Sequence, residues 1–250
     1  MGLVRTAVAA GVARVTLDDP DRRNILTGEL VGGLIAAFDD LERRDDVTCV
    51  VLTGAGSAFC AGADLADLLA ASDGDATGLH RVYDGFSRVR HSPLVTIAAV
   101  NGPAVGAGLN LALVCDLRVA AASAWFDSRF LGIGLHPGGG HLRMLERLVG
   151  PQTAAAMVLC GRRLEAAAAL TEGLVLATAA DDELLTTAGE LARRAASAPR
   201  ELVLLTKRSL QDEPALDTDE AMALEEERQL WSLRLPATAD GLRAAARRRR

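Results

Sequence analysis

The sequence has few aromatic residues and a single lysine, and both scarcities limit what the chain can be. Aromatic residues make up 3% of the 250 residues while half of all residues are hydrophobic, so the core has to consist mainly of aliphatic side chains. This hydrophobic content excludes a disordered or collagen-like chain. Lys207 stands alone among many arginines, which indicates a codon-composition bias.

The four cysteines lack the spacings that zinc sites and disulfide frameworks use. Cys49, Cys60, Cys115 and Cys160 lie far apart and form no CxxC pair. Three of them lie in apolar runs, where a cysteine behaves as a small buried hydrophobe. We therefore expect four reduced thiols, no metal site and a cytoplasmic location.

Long apolar runs and a basic surplus are also missing. No run approaches the roughly 18 apolar residues of a membrane helix, and no basic segment with a following apolar stretch opens the chain. The net charge is −6, from 27 basic and 33 acidic residues, which disfavours nucleic-acid binding because phosphates require a basic face. The one basic block, 247–250, is interpreted as a solvated tail. The sequence predicts a soluble protein with neither a nucleic-acid nor a membrane partner.

Apolar patterns predict a mixed α/β fold. Val4–Ala9 and Val12–Leu17 form short β-prone runs around Gly11, typical of a hairpin. Runs 48–53 and 94–100 are apolar on both faces, which predicts strands covered on both sides. Further strand and helix patterns follow, and helix formers dominate after residue 150. The predicted elements are a helix capped by Thr27, helices at 64–71, 79–90 and 109–115, a strand at 117–121, and helices at 151–159, 164–171, 182–196, 199–211 and 219–235, the last closed by Pro236.

Two glycine-rich turns, at 54–64 and 101–108, each follow a buried strand and open a helix. Small residues let a ligand approach the backbone, and a helix start presents free N–H groups with partial positive charge. Two such ends can together bind an oxyanion or phosphate. The alternative is that the glycines only mark tight turns. Neither turn is a Walker loop or a GxGxxG motif, which favours an anionic oxygen other than a simple phosphate.

Several spaced blocks resemble the crotonase superfamily, the enoyl-CoA hydratase/isomerase family. The similarity runs from about residue 5 to 245, in order and without large gaps. Its blocks are PDRRN at 20–24, SAFCAGADL at 57–65, IAAVNGPAVGAGL at 97–109, CDLR at 115–118, GIGLHPGGG at 132–140 and DGLRAA at 240–245.

The resemblance implies an α/β fold, a crotonase-like spiral of ββα units with a C-terminal helical trimerisation region. We assign 1–195 to the spiral acyl-CoA-binding core and 196–250 to the C-terminal helical region. The family's assembly implies a homo-trimer or a hexamer. It implies no separate cofactor, since coenzyme A enters as the thioester substrate.

The resemblance also implies an acyl-CoA ligand whose thioester carbonyl lies between two backbone N–H groups. By position, these belong to Ala63 and Ala107. Such amides would stabilise the charge of an enolate. The remaining substrate-binding residues implied by position are Arg22, Arg23, Ala61, Asp64, Leu65 and Gly106; for the two arginines the alternative is an exposed role after a turn.

The sequence departs from the family where hydratases have their two catalytic glutamates. By alignment, Asn110 and Phe130 occupy those positions. Asn110 can orient a water but cannot accept a proton as a base, and phenylalanine exchanges no proton. Ordinary hydration of an enoyl thioester is therefore doubtful, and isomerisation, which needs the second carboxylate, equally so.

Three interpretations stay open. The first is an enzyme like an enoyl-CoA hydratase/isomerase that polarises a thioester. The second is a non-catalytic acyl-CoA carrier that keeps the donor turns. The third is a crotonase of different chemistry, using His136 or Asp127 in place of the glutamates, for example for deacylation or C–C cleavage; a capping role is the alternative for His136.

Overall fold

The structure is a computed structural model that describes residues 2–248. Nine strands and ten helices are found in this range. The strands, in chain order, are β1 (Val4–Ala9), β2 (Val12–Leu17), β3 (Cys49–Gly54), β4 (Val95–Val100), β5 (Ala104–Val105), β6 (Leu117–Ala121), β7 (Trp125–Asp127), β8 (Leu164–Glu165) and β9 (Ala177–Ala179). The helices are α1 (Gly28–Glu42), α2 (Leu65–Ser72), α3 (Thr77–Arg90), α4 (Ala107–Leu113), α5 (His141–Leu159), α6 (Ala166–Thr171), α7 (Leu184–Ala196), α8 (Arg200–Asp212), α9 (Thr218–Ser232) and α10 (Pro236–Arg248).

Six strands form the main sheet in the order β1-β2-β3-β4-β6-β9. The β1–β2 hairpin is antiparallel, with Val4 opposite Leu17, and every other pair is parallel. All six residues of β3 are buried, as expected for a strand with both faces covered. Helix α7 packs across β2, β3, β4, β6 and β9, while α1 packs on β1, β2 and α3.

A second, three-stranded sheet of order β5-β7-β8 lies beside the region of the two glycine-rich turns. β5 pairs with β7 in parallel, and β7 pairs with β8 antiparallel. The bridge between Cys60 and Ala104 joins the first turn to β5. This small sheet therefore positions the second turn and the residues after β7.

Most predicted elements are present with shifts of a few residues. The hairpin and β6 have the predicted limits, and the Thr27 hydroxyl accepts a hydrogen bond from the Leu30 N–H at 3.2 Å, as an N-cap does. The fourth predicted helix starts two residues earlier, at Ala107. The predicted helix 219–235 ends earlier, at Ser232, and Pro236 begins α10, because proline is tolerated at a first helical position.

The assignment of 1–195 and 196–250 to two regions stays a prediction. Helix α7 ends at Ala196 and α8 begins at Arg200, so the proposed limit falls at the end of α7, a helix that packs on the main sheet. Residues 249 and 250 of the predicted basic tail lie outside the described residues.

The cysteine side chains are free thiols, and Cys49, Cys60 and Cys115 are buried. Burial raises the pKa of the Cys60 thiol to about 12, because the thiolate would lose its hydration. Cys160 is exposed. Across residues 2–248, none of the helices combines the length and the apolar character that crossing a membrane requires.

The single lysine is a buried structural residue. Lys207 on α8 is 6% exposed, and its Nζ lies 2.7 Å from Asp116 Oδ2 and 2.6 Å from the Leu94 carbonyl oxygen. The same carboxylate oxygen accepts hydrogen bonds from the Thr96 N–H and hydroxyl, at 2.8 and 3.0 Å. These contacts fix α8 to the start of β4 and to the residue that precedes β6.

Replacing Lys207 by methionine should lower the free energy of unfolding by about 3 kcal/mol, because it leaves the Asp116 carboxylate without its cation. Urea denaturation of the wild type and the variant measures this. The double variant Lys207→Met, Asp116→Asn should recover part of the loss. Equal stability of Lys207→Met and the wild type would contradict the role given to this ion pair.

Candidate functional site

The first glycine-rich turn is held in shape by two asparagine side chains. Asn24 is fully buried, and its Nδ2 donates to the carbonyl oxygens of Ala55 and Ala58 at 2.9 and 2.8 Å. Asn101 Oδ1 accepts from the Gly54 N–H at 3.0 Å, and its Nδ2 donates to the Gly56 carbonyl at 3.1 Å. Both asparagines satisfy polar groups of a loop that has few internal bonds.

The two turns touch through their backbones. The Cys60 N–H donates to the Pro103 carbonyl, and the Val105 N–H donates to the Cys60 carbonyl, both at 3.1 Å. A Cβ on Gly108, in the first turn of α4, would lie 2.0 Å from the Cys60 carbonyl oxygen. Only glycine fits there, so the absence of a side chain lets the start of α4 rest directly on the first turn.

Ala63 and Ala107 lie on the two segments that this contact brings together. The Leu26 N–H donates to the Gly62 carbonyl at 2.8 Å, so Leu26 bridges to the residues around Ala63 and the Ala63 N–H is directed away from it. Ala107 is the first residue of α4, where an N–H has no partner within the helix. Within residues 2–248, neither N–H donates to a protein acceptor.

The other predicted binding residues border the first turn. Arg22 Nη2 lies 2.9 Å from Asp64 Oδ2, and Asp64 Oδ1 caps α2 by accepting from the Ala66 N–H. The Arg23 carbonyl accepts from the Ala61 N–H at 3.0 Å, while the Arg23 side chain is exposed. Predicted residues Arg22 and Asp64 are therefore paired with each other.

Two more predicted positions fit the same arrangement. Leu65 is 64% exposed at the start of α2. Gly106 has a φ of 53° directly before α4, a conformation that favours glycine.

Asn110 lies in a buried hydrogen-bonded chain with His141 and Ser128. Its Nδ2 donates to the Gly138 carbonyl at 2.9 Å, and its Oδ1 lies 2.7 Å from His141 Nδ1. His141 Nε2 is hydrogen-bonded to the Ser128 hydroxyl. The three side chains come from α4, the start of α5 and the residue after β7.

The Phe130 ring packs against the His141 member of this hydrogen-bonded cluster. It is 9% exposed, and its ring centroid lies 4.9 Å from that of His141 in an edge-on arrangement. Burial lowers the pKa of His141 to about 4, because the imidazolium would be desolvated. His141 is therefore neutral at pH 7, and one of its two ring nitrogens is a hydrogen-bond acceptor.

His136 and Asp127, the predicted substitutes for the glutamates, make other contacts. His136 is exposed, and its Nδ1 donates to the Pro137 carbonyl at 2.8 Å. Asp127 Oδ1 accepts from the Arg129 N–H at 2.8 Å and stabilises a turn in which Arg129 has a φ of 58°. No hydrogen bond joins either of them to Asn110 among the described residues, and their catalytic role stays a prediction.

The sequence interpretation did not single out His141 and Ser128 as a pair. The sequence favours His136 instead, because it lies on the loop that follows position 130. The GGGH sequence at 138–141 places a histidine at a helix start, which is the one sequence signal that favours it. In the described residues, no group of three His, Cys, Asp or Glu side chains is placed to hold a metal ion.

The chain that carries these two turns is similar to proteins whose names refer to acyl-CoA substrates. The sequence model of the family described as "Enoyl-CoA hydratase/isomerase" matches residues 7–240. A Mycobacterium tuberculosis protein, "Probable enoyl-CoA hydratase EchA14", is 48% identical over 98% of both chains. The Escherichia coli "1,2-epoxyphenylacetyl-CoA isomerase" is 34% identical over 98% of this chain and 95% of its own.

Solved structures of enoyl-CoA hydratases have the same fold as this chain. The fold matches that of an enoyl-CoA hydratase from Polaromonas sp. JS666 with a TM-score of 0.92 and 27% identity, over 99% of this chain and 98% of the other. An enoyl-CoA hydratase from Bacillus anthracis matches with a TM-score of 0.91 and 28% identity, over 98% and 96%. These matches confirm the fold class predicted from the sequence.

The low pKa of His141 predicts how stability changes with pH. In the unfolded protein His141 is protonated below its ordinary pKa near 6.5, whereas in the folded protein it is protonated only below about pH 4. The free energy of unfolding should therefore fall as the pH drops through this window, with His141 contributing on the order of 3 kcal/mol.

Urea denaturation across pH 4 to 7 tests this prediction. His141→Gln should flatten the dependence, whereas His80→Gln, which replaces an exposed histidine of α3, should leave it unchanged. The same slope in His141→Gln and in the wild type would show that His141 is not the buried neutral group.

Proposed function

Because the chain belongs to the enoyl-CoA hydratase/isomerase family, the crotonase superfamily, we propose that it binds an acyl-CoA thioester and polarises its carbonyl between two backbone amides. The donors are the N–H groups of Ala63 and Ala107. The observation that supports this most is the direct backbone contact between their two turns, at Cys60 and Gly108. The two N–H groups lie on the segments that this contact joins, and within residues 2–248 neither donates to a protein acceptor.

The chemistry follows from where charge develops in the thioester. When the carbonyl oxygen gains negative charge, as in an enolate, two fixed amides stabilise it without having to reorient. Ala107 lies at the start of α4, so the positive end of the helix dipole adds to the effect. Alanine serves here as well as glycine, since only the backbone N–H takes part.

Coenzyme A is proposed to lie along the first turn. The Arg22 and Arg23 side chains are the candidates for its phosphates, and Arg22 reaches the ligand by exchanging its contact with Asp64 for one with a phosphate. The backbone of Ala61, Asp64 and Leu65 borders the adenine side. Gly106 adds a backbone surface next to Ala107.

Ordinary hydration is proposed to be slow. Asn110 and Phe130 replace the two glutamates, and losing each proton-transfer group lowers a rate by about 10²–10⁴-fold. Asn110 is also committed to Gly138 and His141, which leaves its side chain poorly placed to orient a water. The same two replacements favour a second candidate function, an acyl-CoA carrier that binds without reaction.

The chain is proposed to act in the cytoplasm, where thiols stay reduced, and its free cysteines fit this location. It is also proposed to assemble as a trimer or a hexamer through its C-terminal helices. Exposed leucine and methionine side chains on α8, α9 and α10 support this, because apolar groups exposed in number favour an interface. They are Leu210 on α8, Met222 and Leu230 on α9, and Leu242 on α10.

The proposed function predicts acyl-CoA binding without efficient hydration. Calorimetry should detect binding of saturated acyl-CoA, while the enoyl absorbance of crotonyl-CoA should fall only slowly after protein is added. Absence of binding would overturn the proposed function. A rapid loss of absorbance would show that the acid and base lie elsewhere than at Asn110 and Phe130.

A matched pair of proline variants tests the amide donor itself. Ala107→Pro removes one proposed N–H at a first helical position, which tolerates proline. It should reduce the red shift that a bound dienoyl-CoA chromophore shows when its carbonyl is polarised. Thr218→Pro, at the exposed first position of α9, is the control and should keep the shift. An unchanged shift in Ala107→Pro would rule out this amide as a donor.

The assembly is tested by light scattering after gel filtration. The wild type should have three or six times the protomer mass, and Leu210→Glu on α8 should lower it. Leu159→Glu at the end of α5 is the control, since the two leucines are 70% and 69% exposed. A wild-type mass of one protomer would contradict the proposed oligomer.

A further inference from the structure

Three buried polar side chains form a hydrogen-bonded chain that the proposed binding function does not use. Ser128, His141 and Asn110 are each 1% exposed. Ser128 and His141 are 13 residues apart in sequence, and Asn110 and His141 are 31 residues apart. A buried polar cluster at a proposed ligand site is a candidate for chemistry.

The direction of each hydrogen bond in this cluster follows from the bond between Asn110 and Gly138. The Gly138 carbonyl can only accept, so the Asn110 amide group faces it and Asn110 Oδ1 faces His141. Asn110 Oδ1 can in turn only accept, which places the imidazole proton on Nδ1. In the neutral ring Nε2 is then the acceptor, and the Ser128 hydroxyl donates to it.

This arrangement is that of an activated serine. A hydroxyl donates to an imidazole nitrogen, and an amide oxygen fixes the tautomer of the imidazole from its other side. Desolvation keeps His141 neutral, so Nε2 has a free lone pair that faces the Ser128 hydroxyl. We call these three hydrogen-bonded side chains a relay, because the order of donors and acceptors leads from the Ser128 hydroxyl through His141 to Asn110.

Ser128 also lies next to the second proposed donor turn. The Gly106 N–H donates to the Asp127 carbonyl at 2.9 Å, and a Cβ on Gly106 would lie 3.8 Å from the Ser128 carbonyl oxygen. The Asn110 N–H donates to the Gly106 carbonyl at 3.1 Å. Asn110 is thus hydrogen-bonded to the residue that precedes Ala107, and Ser128 directly follows the residue whose carbonyl bonds to it.

We propose that Ser128, His141 and Asn110 form a catalytic relay that hydrolyses acyl-CoA thioesters, with Ser128 as nucleophile. This rests on the proposed function, because Ala63 and Ala107 have to hold the thioester. Ser128 and His141 are the catalytic residues of this reaction, and Asn110 is a positioning residue that acts through His141.

The reaction is balanced by the groups present and by water. Ser128 Oγ bonds to the thioester carbon while its proton moves to His141 Nε2, and the negative oxygen is held by the two amides. The C–S bond breaks, and the sulfur leaves as coenzyme A with the proton from Nε2. Water then attacks the Ser128 ester, gives its proton to Nε2 and releases a carboxylic acid, after which Ser128 regains its proton.

The residue at position 130 favours this reaction over chemistry at the α and β carbons. Proton transfer to those carbons needs an acid or base at position 130, and phenylalanine provides neither. Attack at the carbonyl needs only the relay and the two backbone amides. Because Ser128 is buried and the Phe130 ring lies against His141, the acyl group reaches the serine when Phe130 moves aside.

The test measures release of coenzyme A by chromatography, with saturated acyl-CoA substrates that cannot be hydrated. The wild type should release coenzyme A, and Phe130→Ala should do so several-fold faster. Ser128→Ala should lower the rate by about 100-fold or more. Its acyl-CoA affinity by calorimetry should stay within about twofold of the wild type, because the serine acts in the reaction and not in binding.

Two further readouts separate a reactive serine from a structural one. A fluorophosphonate should add one mass adduct on the peptide that contains Ser128, and Ser128→Ala should not take it up. Ser87→Ala is the control, because Ser87 forms the exposed serine–histidine pair of α3, with His91, and should change neither labelling nor rate. Asn110→Asp keeps an acceptor for His141 Nδ1 but loses the donor to the Gly138 carbonyl, so it should retain more of the turnover rate than Asn110→Leu, which should lower kcat at unchanged KM.

The outcomes distinguish the two proposals. Acyl-CoA binding with no release of coenzyme A and no Ser128 adduct, in both the wild type and Phe130→Ala, would overturn the relay and leave the binding function in place. Release that persists in Ser128→Ala would also overturn it. Failure of acyl-CoA to bind at all would overturn the proposed function on which the relay rests.

Discussion

The site depends on one backbone contact, in which the start of α4 rests on the carbonyl of Cys60. Gly108 makes this possible, since any side chain there would overlap the carbonyl oxygen. The contact joins the loop that follows β3 to the helix that follows β5. Both proposed amide donors, and the helix that bears Asn110, take their positions from it. Adding even one methyl group at position 108 would therefore push α4 away from the first turn.

Much of the fold could be predicted because its elements are long and strongly patterned. The hairpin, β3, β4 and β6 are apolar runs bounded by turn residues, and the Thr27 cap marks the start of α1. The strands β5, β8 and β9 were not predicted. They have two or three residues each, too few to show a period, and they exist because neighbouring segments offer them backbone partners.

The site was predicted in part for a similar reason. Motifs along the chain indicated the turns and the two replaced glutamates, since each is a local feature. The link between Ser128, His141 and Asn110 is a product of tertiary structure, and no spacing in the sequence reveals it. Position along the chain favours His136, on the loop after position 130, yet the buried ring that contacts Asn110 is that of His141, five residues later.

The lone lysine has a consequence for chemical probing of this protein. Its amine is enclosed between Asp116 and the Leu94 carbonyl, so acylating reagents find no exposed side-chain amine while α8 stays in place. Reaction at Lys207 would then report the detachment of that helix from the sheet. The rate of acylation at Lys207 therefore measures how often α8 separates from the sheet.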